Sequence, residues 1–324
     1  LGLSVATVKA IAFWAFVIAF AIKVPVWPFH TWLPDAHTEA PTAGSMILAG
    51  VLLKLGAYGF LRLVLPLYPE QAHQYAGWLA FLATMAIVFG AFASYGQTDF
   101  KRLVAYSSVN HMGFVLLGIA AAATAIGTTN ATIALNGAVL QMFNHGLSAA
   151  GMFFLVGVVY DRVHHRDLNK FGGLFGKMPV YSGFAIGIFF AGLGLPGLCG
   201  FIGEVFVVLS VWNFNQGLAV VSAAVVILTA GENFWGAPPG YPGARKKGPR
   251  PGGPTPMTPP EVSNAAPLLA LAIFFGVYPQ ALLNYMQPSV NKTVVELADW
   301  TKAQDKNSPP QQTTAAITNQ TNSL

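Results

Sequence analysis

The sequence predicts an all-α polytopic membrane protein, and three observations support this fold class. Only 9% of the 324 residues are charged and 54% are hydrophobic, whereas about a quarter of the residues of a soluble domain are charged. Apolar runs of about twenty residues, enough for one helix to cross a bilayer core, recur along the chain. Lys and Arg are concentrated in alternate connections between these runs, as expected if those connections lie in the cytoplasm.

Composition also excludes several classes of protein. The net charge of +5 is modest and the basic residues lie between the apolar runs, so nucleic-acid binding has no support. The single Cys199 excludes a disulfide framework and a cysteine-ligated iron–sulfur cluster. There is no Walker loop, and no glycine-rich loop between a predicted strand and a helix for a dinucleotide. We therefore expect no redox site, cofactor site or metal site in this chain.

The apolar pattern predicts about eight transmembrane helices. Spans are predicted at 3–30, 43–65, 77–97, 106–125, 131–159, 180–212 and 264–286, with the start of an eighth at 217–230. The first and the sixth contain Pro and Gly, which interrupt helices, and are predicted to be broken. The positive-inside rule places the basic connections in the cytoplasm, and parity places the 31–42 loop there too. A polar tail, 287–324, is predicted on the periplasmic side.

Two features indicate an incomplete or altered reading frame. The stretch 231–263 interrupts the eighth span, and its first part, 231–254, is too rich in Gly and Pro for a helix. We interpret 231–254 as a possible frameshift, with a genuine cytoplasmic loop as the alternative. The chain also opens on an apolar run without an initiator Met, so we expect an N-terminal truncation.

Ionisable residues inside the apolar runs are the strongest functional signal. Lys54 lies at the centre of 43–65, where a helix would hold its ammonium near the bilayer midplane. A charge there costs roughly 3 kcal/mol on insertion scales, so such residues usually face a bundle interior and serve function. Lys23, His145 and Glu204 lie in other spans, and each broken helix contains one of them. We expect a path for protons or ions.

Each of these residues also has a structural interpretation. Lys23 falls near the end of its run, where its side chain could extend to the interface. His145 could be a hydrogen-bonded core residue, although histidine is well suited to proton relay. Glu204 could cap a half-helix, a position compatible with a proton-exit role. His111, closer to a span end, is either a relay residue or a helix cap. Three loop residues could line a cytoplasmic opening: Asp35, His37 and Glu39.

Four segments resemble a known family closely. They are residues 23–56 (KVPVWPFHTWLPDAHTEAPTAGSMILAGVLLKLG), 99–113 (DFKRLVAYSSVNHMG), 143–151 (FNHGLSAAG) and 195–204 (LPGLCGFIGE). Together they resemble the antiporter-like M subunits (chain 4) of proton-pumping NADH:quinone oxidoreductase, complex I. A glutamate at position 204 is typical of the M type, because the other two antiporter-like subunits carry lysine there.

This resemblance implies an antiporter-like inverted-repeat bundle and a set of proton-translocating residues. The family has fourteen transmembrane helices, of which this chain would contain helices 7–14. Residues 1–66 would close the first repeat, 77–230 would form the second, and 264–286 would be the last helix. The residues implied in proton translocation are Lys23, Lys54, His145, Glu204 and His111. The family's glutamate partner of Lys23 is not in this sequence.

The resemblance further implies the biological setting. The chain would be a membrane subunit in which quinone reduction elsewhere in the complex drives proton transfer along buried Lys, His and Glu residues. FMN, iron–sulfur clusters and quinone are then expected on partner subunits. The expected surroundings are antiporter-like neighbour subunits and the lipid bilayer of the bacterial inner membrane. The alternatives are a subunit of a multisubunit Na⁺/H⁺ antiporter or membrane-bound hydrogenase, and a purely structural membrane scaffold.

Overall fold

The computed structural model describes residues 4–171, 174–236 and 255–307, which form helices and, in those ranges, no β-strand. The all-α fold class is therefore confirmed. The helices are α1 (Val5–Lys23), α2 (Trp32–Glu39), α3 (Thr42–Leu67), α4 (Pro69–Gln74), α5 (Ala76–Tyr95), α6 (Phe100–Thr124), α7 (Thr129–Val163), α8 (Leu174–Lys177), α9 (Pro179–Leu193), α10 (Cys199–Trp212), α11 (Gln216–Gly236), α12 (Pro259–Val277) and α13 (Gln280–Asn307).

Several of these helices can cross a membrane. By length and composition, α1, α3, α5, α6, α7 and α12 are each long and apolar enough to do so. The apolar helices α9, α10 and α11 are shorter or end in more polar residues. Helix α6 lies at the centre of the bundle, where it packs against α5, α7 and α10 and is almost entirely buried. Most of its polar residues therefore face other helices rather than lipid, with Arg102 as an exposed exception.

Two spans are broken, as the Pro and Gly residues predict. Helix α1 ends at Lys23, and the chain turns through Pro25 and Pro28 before α2 begins. Between α9 and α10 the backbone takes positive φ values at Gly194 (76°) and Gly197 (90°). A side chain is strained in that left-handed region, which explains glycine at both positions. The two breaks therefore end α1 and α9 within the spans predicted from the sequence.

Helix α3 carries two wide turns, one on each side of Lys54. Residues Leu48–Leu52 and Phe60–Val64 are π-helical, and the Leu53 N–H donates to the Leu48 carbonyl five residues earlier. Such turns are rare in proteins, and those that occur are often found at functional sites. Here they bracket the charged residue, and Arg62, inside the second wide turn, points outward.

The basic loops meet on one face of the bundle. The Phe100 N–H donates to the Arg166 carbonyl at 2.8 Å, and the Arg166 guanidinium donates to Asp99 Oδ2 and to the Thr38 carbonyl, each at 2.9 Å. Lys101 Nζ donates to the Ala40 carbonyl at 2.5 Å. These contacts place the non-basic 31–42 loop on the same face as the basic connections, as parity predicts.

Contacts on the opposite face join the loops that lack Lys and Arg. His73 Nδ1 donates to the Ala123 carbonyl at 2.8 Å, which fixes α4 against the end of α6. Asn130 Nδ2 donates to the Ser210 carbonyl at 3.0 Å. Asn136, on α7 of this same half, donates to Gln287 Oε1 of α13 at 3.4 Å. Helix α13 therefore lies on the face predicted to be periplasmic.

The C-terminal region differs from the prediction of a last helix at 264–286 and a polar tail from 287. The structure ends the apolar helix at Val277 and forms a separate helix, α13, through Asn307. Apolar residues at helical spacing are buried along one side of α13: Leu283, Met286, Val290, Val294 and Leu297. Its other face is polar, which lowers the mean hydropathy and makes an amphipathic helix resemble a tail in sequence. Residues 308–324 lie outside the described ranges.

The Gly- and Pro-rich stretch is only partly described. Helix α11 continues through Gly236, so the beginning of 231–254 is helical. Residues 237–254 lie outside the described ranges, and the frameshift interpretation remains a prediction.

One arginine anchors the segment that precedes α12 to the end of α7. The Arg162 guanidinium donates to both carboxylate oxygens of Glu261, at 2.8 and 2.6 Å. It also donates to the carbonyl oxygens of Thr255 and Pro256. The two charged side chains are only 10% and 21% exposed. This bidentate pair fixes the start of α12 against the end of α7 on the basic face.

We expect Glu261→Ala to lower the free energy of unfolding by about 2 kcal/mol, because a shielded guanidinium loses its bidentate partner. The measurement is thermal unfolding in detergent, with Glu296→Ala as the control. Glu296 pairs with Lys292 at 3.8 Å, and these side chains are 53% and 72% exposed. Removing that exposed pair should change stability by less than about 1 kcal/mol. Equal effects of the two substitutions would contradict the anchoring role.

Candidate functional site

Lys54 and His145 form a hydrogen-bonded pair inside the bundle. Lys54 Nζ lies 2.6 Å from His145 Nδ1, and the residues are 9% and 2% exposed. Lys54 Nζ also donates to the Ala49 carbonyl, which the neighbouring wide turn of α3 presents to it. The position predicted to hold a charge at mid-membrane therefore faces the protein interior and has partners.

Close packing of α3 on α7 makes this contact short. A Cβ atom built on Gly146 would lie 3.0 Å from the Gly50 carbonyl oxygen and 3.9 Å from Lys54 Cε. Small residues at a helix crossing allow two backbones to approach closely in a membrane. The Gly50–Gly146 contact thus sets the distance at which Lys54 reaches the neighbouring residue, His145.

A second pair lies on the other side of His145. His111 Nδ1 is 2.9 Å from Glu204 Oε1, and Gln141 Nε2 donates to the same carboxylate oxygen at 2.8 Å. His111, Gln141 and Glu204 are all buried. A carboxylate enclosed in this way is stabilised by charge-assisted hydrogen bonds from both neighbours.

The two pairs adjoin through their imidazole rings. The ring centroids of His111 and His145 are 5.6 Å apart, and the planes are inclined at 37°. Both Nε2 atoms are buried without a hydrogen-bond partner among the described residues. We call the four residues Lys54, His145, His111 and Glu204 the buried row. It joins α3, α7, α6 and α10.

The buried row contains groups that can exchange protons at hydrogen-bond distance. A proton shared by Lys54 Nζ and His145 Nδ1 can bond covalently to either nitrogen at a separation of 2.6 Å. The same holds for His111 Nδ1 and Glu204 Oε1, where transfer converts an imidazolium–carboxylate pair into two neutral groups. Each transfer leaves the hydrogen-bond partner in place.

Glu204 lies beside the second helix break. A Cβ atom on Gly194 would be only 2.9 Å from Glu204 Oε2, so glycine makes room for the carboxylate. A cavity of about 510 Å³ begins at Glu204 and continues between α10 and α11, lined by Leu193, Val208 and Ile227 among others. This end of the row therefore adjoins a cavity.

The family model described as "NADH:quinone oxidoreductase/Mrp antiporter, TM" matches residues 4–229. The chain belongs to this family. Subunit M of NADH-quinone oxidoreductase from Rickettsia prowazekii is 39% identical over 300 residues, which cover 89% of this chain and 57% of the relative. The Escherichia coli subunit M is 46% identical over 207 residues, covering 64% and 39%. The chain thus spans little more than half the length of its first relative.

Solved structures of the family have the same fold. A chain of respiratory complex I from Thermus thermophilus with bound NADH matches with a TM-score of 0.79 and 29% identity, covering 88% of this chain and 58% of the other. A chain of the Mrp complex from Dietzia sp. matches with a TM-score of 0.76 at 20% identity, covering 92% and 60%, and shows the fold alone. The resemblance and the inner-membrane, multi-pass localisation are confirmed.

Lys23 differs from the other family site residues predicted from the sequence. It ends α1 next to the first break, and its Cβ would approach a Cβ built on Gly56 to 2.9 Å. Its backbone therefore packs on α3 near Lys54, but its side chain is exposed. The structure brings together the four residues of the buried row and leaves Lys23 on the surface of the described part of the chain.

His37 is more buried than a loop residue is expected to be. It is fully buried, and its ring stacks on Phe153 with centroids 4.2 Å apart. Neither ring nitrogen has a hydrogen-bond partner in the described ranges. Burial, together with the positive charges of Lys101 and Lys54, lowers the pKa of His37 to about 3. At neutral pH the ring is uncharged.

The two acidic residues predicted with His37 to line the opening also lie on α2, but at the surface. Asp35 pairs with Arg102 at 2.6 Å, and both are well exposed. Glu39 borders a polar cavity of about 500 Å³ on the basic face, together with Lys101, Asp161 and Arg166. Glu39 therefore lines a cavity on the basic face, whereas Asp35 belongs to a surface ion pair, and the cytoplasmic opening stays a prediction. In the described ranges, no group of three or more His, Cys, Asp or Glu is placed to hold a metal ion.

Two polar residues of the site, Gln141 and Asn144, are not among the site residues that the sequence predicts. Gln141 contacts Glu204, and Asn144 Nδ2 donates to the Cys199 carbonyl at 2.5 Å, next to the second break. Both precede His145 on α7, by four residues and by one. A polar amide one helical turn from an ionisable residue in an apolar span is the signal that could have found Gln141.

Proposed function

We propose that this chain is a proton-translocating membrane subunit of NADH:quinone oxidoreductase. The relatives from Rickettsia and Escherichia are named as subunit M of that enzyme, and the chain matches 57% of the length of the first. The observation that carries the proposal is the buried row. It places Lys, His, His and Glu side chains within a membrane domain, in two pairs at 2.6 and 2.9 Å.

Proton transfer along the row follows from the chemistry of its groups. A proton on Lys54 can pass to His145, and one on His111 can pass to Glu204, without a change of hydrogen-bond partner. The two unpartnered Nε2 atoms need a bridge between the rings, and one water molecule between them would complete the path. The cavity beside Glu204 lies at the exit end of this path.

We further propose that protons reach Lys54 from the basic face by way of His37. Thr38, Glu39 and Ala40 line the cavity on that face, immediately after His37 in the chain. Ser45 Oγ donates to the His37 carbonyl at 3.2 Å, and Ala49, one turn further along α3, accepts from Lys54. His37 thus lies between the cavity and the Lys54–His145 pair, with both ring nitrogens unpaired.

The energy for translocation must come from other subunits. Moving one proton against 100 mV costs about 2.3 kcal/mol. The motifs in this chain supply neither a nucleotide site nor a cluster-binding cysteine set, so we propose that it contains no catalytic redox site. FMN, iron–sulfur clusters and quinone would be held by partner subunits. Lys23 would join the path when a carboxylate from another segment or subunit faces its exposed side chain.

The test of this function is proton pumping by the reconstituted complex that contains this chain. With NADH and quinone supplied, the vesicle interior should acidify, and the pH gradient should disappear when an uncoupler is added. Complete assembly and normal NADH oxidation without any acidification would overturn the proposal.

A sodium/proton antiporter subunit is the second candidate, because the family model covers Mrp antiporters as well. Pumping measured with and without Na⁺ separates the two. A proton gradient that forms in sodium-free buffer supports the oxidoreductase, whereas proton movement that requires Na⁺ on the opposite side supports the antiporter.

The buried His37 should make the chain less stable in acid. Its pKa is about 3 in the folded chain, against 6.5 as the ordinary value, so the unfolded state binds more protons below neutrality. The free energy of unfolding should therefore fall by about 2 kcal/mol between pH 7.5 and pH 5 because of this residue. His37→Phe keeps the ring stack on Phe153 and removes the proton-binding group. Thermal unfolding at the two pH values should change less in the variant, and an unchanged pH dependence would contradict the burial argument.

A further inference from the structure

We propose that Gln141 is a positioning residue that holds Glu204 and His111 together for proton transfer. This inference rests on the proposed function, because it concerns a step along the buried row. Gln141 carries no charge and does not titrate, so its contribution is geometric and electrostatic. No motif selected from the sequence includes it.

The amide nitrogen of Gln141 contacts both members of the pair. Gln141 Nε2 lies 2.8 Å from Glu204 Oε1 and 3.5 Å from His111 Nδ1. The same carboxylate oxygen lies 2.9 Å from His111 Nδ1. Oε1 of Glu204 is therefore the point where the amide and the imidazole converge. A carboxylate only accepts hydrogen bonds, so the amide nitrogen faces it and the amide oxygen faces away.

The surroundings of the amide oxygen also indicate a built site. Gln141 is 1% exposed, and its Oε1 has no hydrogen-bond partner in the described part of the chain. A Cβ atom on Gly203 would lie 2.7 Å from that oxygen, so the amide fits only because residue 203 has no side chain. Buried amide oxygens are usually satisfied, and an unpaired one needs a functional or structural reason.

The unpaired oxygen has a reason if the amide serves two protonation states. In the transfer step, the N–H bond at His111 Nδ1 breaks and an O–H bond forms at Glu204 Oε1, which leaves both groups neutral. The new O–H first donates back to His111 Nδ1. Once it turns away from that nitrogen, the amide oxygen would accept its hydrogen bond after rotation of the amide group. The same side chain thus holds the carboxylate through its nitrogen and the carboxylic acid through its oxygen.

The position of Gln141 on α7 connects this step to the rest of the row. It lies four residues before His145, so the two side chains project from the same face of the helix. The charged and titratable groups around this site are the four residues of the buried row and Cys199, whose buried thiol interacts electrostatically with Glu204. Helix α7 therefore presents both the histidine that receives a proton from Lys54 and the amide that steadies the carboxylate.

The test compares Gln141→Met with Asn136→Leu in the complete complex. Met keeps the length of the side chain and removes the amide. Asn136 is a buried amide on the same helix that bonds to Gln287 instead of the buried row. Proton pumping per NADH oxidised should fall about tenfold or more in Gln141→Met, and its pH profile should shift. The pumping ratio and its pH profile should both stay at their wild-type values in Asn136→Leu.

A second readout keeps this inference separate from the function itself. Infrared difference spectra of the purified complex report the carboxyl C=O band that appears when Glu204 is protonated, with Glu204→Gln identifying the band. We expect the pH at which this band appears to shift in Gln141→Met. An unshifted band together with an unchanged pumping profile would overturn the role of Gln141. A shifted band in a complex whose wild type does not pump would retain the contact and reject the proposed function instead.

Discussion

Lys54→Met should abolish proton pumping while the complex still assembles and oxidises NADH. Methionine fills nearly the same volume and has no proton to donate or accept. Lys54 Nζ is the group that His145 Nδ1 contacts at 2.6 Å, so the row loses its first member. We expect pumping to fall about a hundredfold, within the range found when a positioned proton-transfer group is removed.

Lys54→Arg separates proton transfer from charge. Arginine keeps a positive charge but does not release its proton in proteins. A relay therefore fails with arginine as it does with methionine, whereas a site that needs only a cation near His145 would tolerate it. Pumping is measured by a pH-sensitive dye in vesicles, alongside NADH oxidation with an artificial acceptor.

The control for this prediction is Lys292→Met on α13. Lys292 is 72% exposed and pairs with Glu296 at 3.8 Å. Its removal should leave pumping at the wild-type rate. If Lys54→Met also pumped normally in a fully assembled complex, the chain would be a membrane scaffold rather than a relay.

Glu204→Gln has the second-largest expected effect. Glutamine keeps the shape and can still accept a hydrogen bond from Gln141, but it cannot take the proton from His111 at 2.9 Å. The side-chain amide oxygen of the variant can still accept hydrogen bonds from His111 and Gln141. The fold should therefore be little affected. Pumping should fall by about the same hundredfold, with assembly retained.

Glu296→Gln on α13 is the matched control for that change. It removes a carboxylate that is 53% exposed and pairs with Lys292 instead of the buried row. The two variants are compared by dye-monitored pumping at several pH values. Pumping by Glu204→Gln at the rate of Glu296→Gln would show that the carboxylate at position 204 is structural, as a half-helix cap would be.

The residues of the row could largely be predicted from the sequence, because an ionisable residue within an apolar run is costly and is usually kept for a function. Lys54, His145 and Glu204 were found in this way, and the helix breaks were read from Pro and Gly. Their pairing was not predictable from periodicity. It depends on how α3 crosses α7, which the Gly50–Gly146 contact decides and which no single helix encodes.

Three features required the packed structure. His37 looks like a polar loop residue, and its burial against Phe153 follows from the way α2 folds back onto the bundle. Gln141 is an uncharged residue whose partners come from two other helices. The buried side of α13 is invisible to a hydropathy average, because its polar face offsets its apolar one.

The separation of the paired residues along the chain has a consequence for how the protein is made. Lys54 precedes its partner His145 by 91 positions, and His111 precedes Glu204 by 93. A helix that leaves the translocon before its partner helix is made carries its ionisable group unmatched into lipid, at a cost of roughly 3 kcal/mol for a lysine at the bilayer centre. We therefore expect insertion to be more favourable when the early helices stay beside the translocon until the later ones are made.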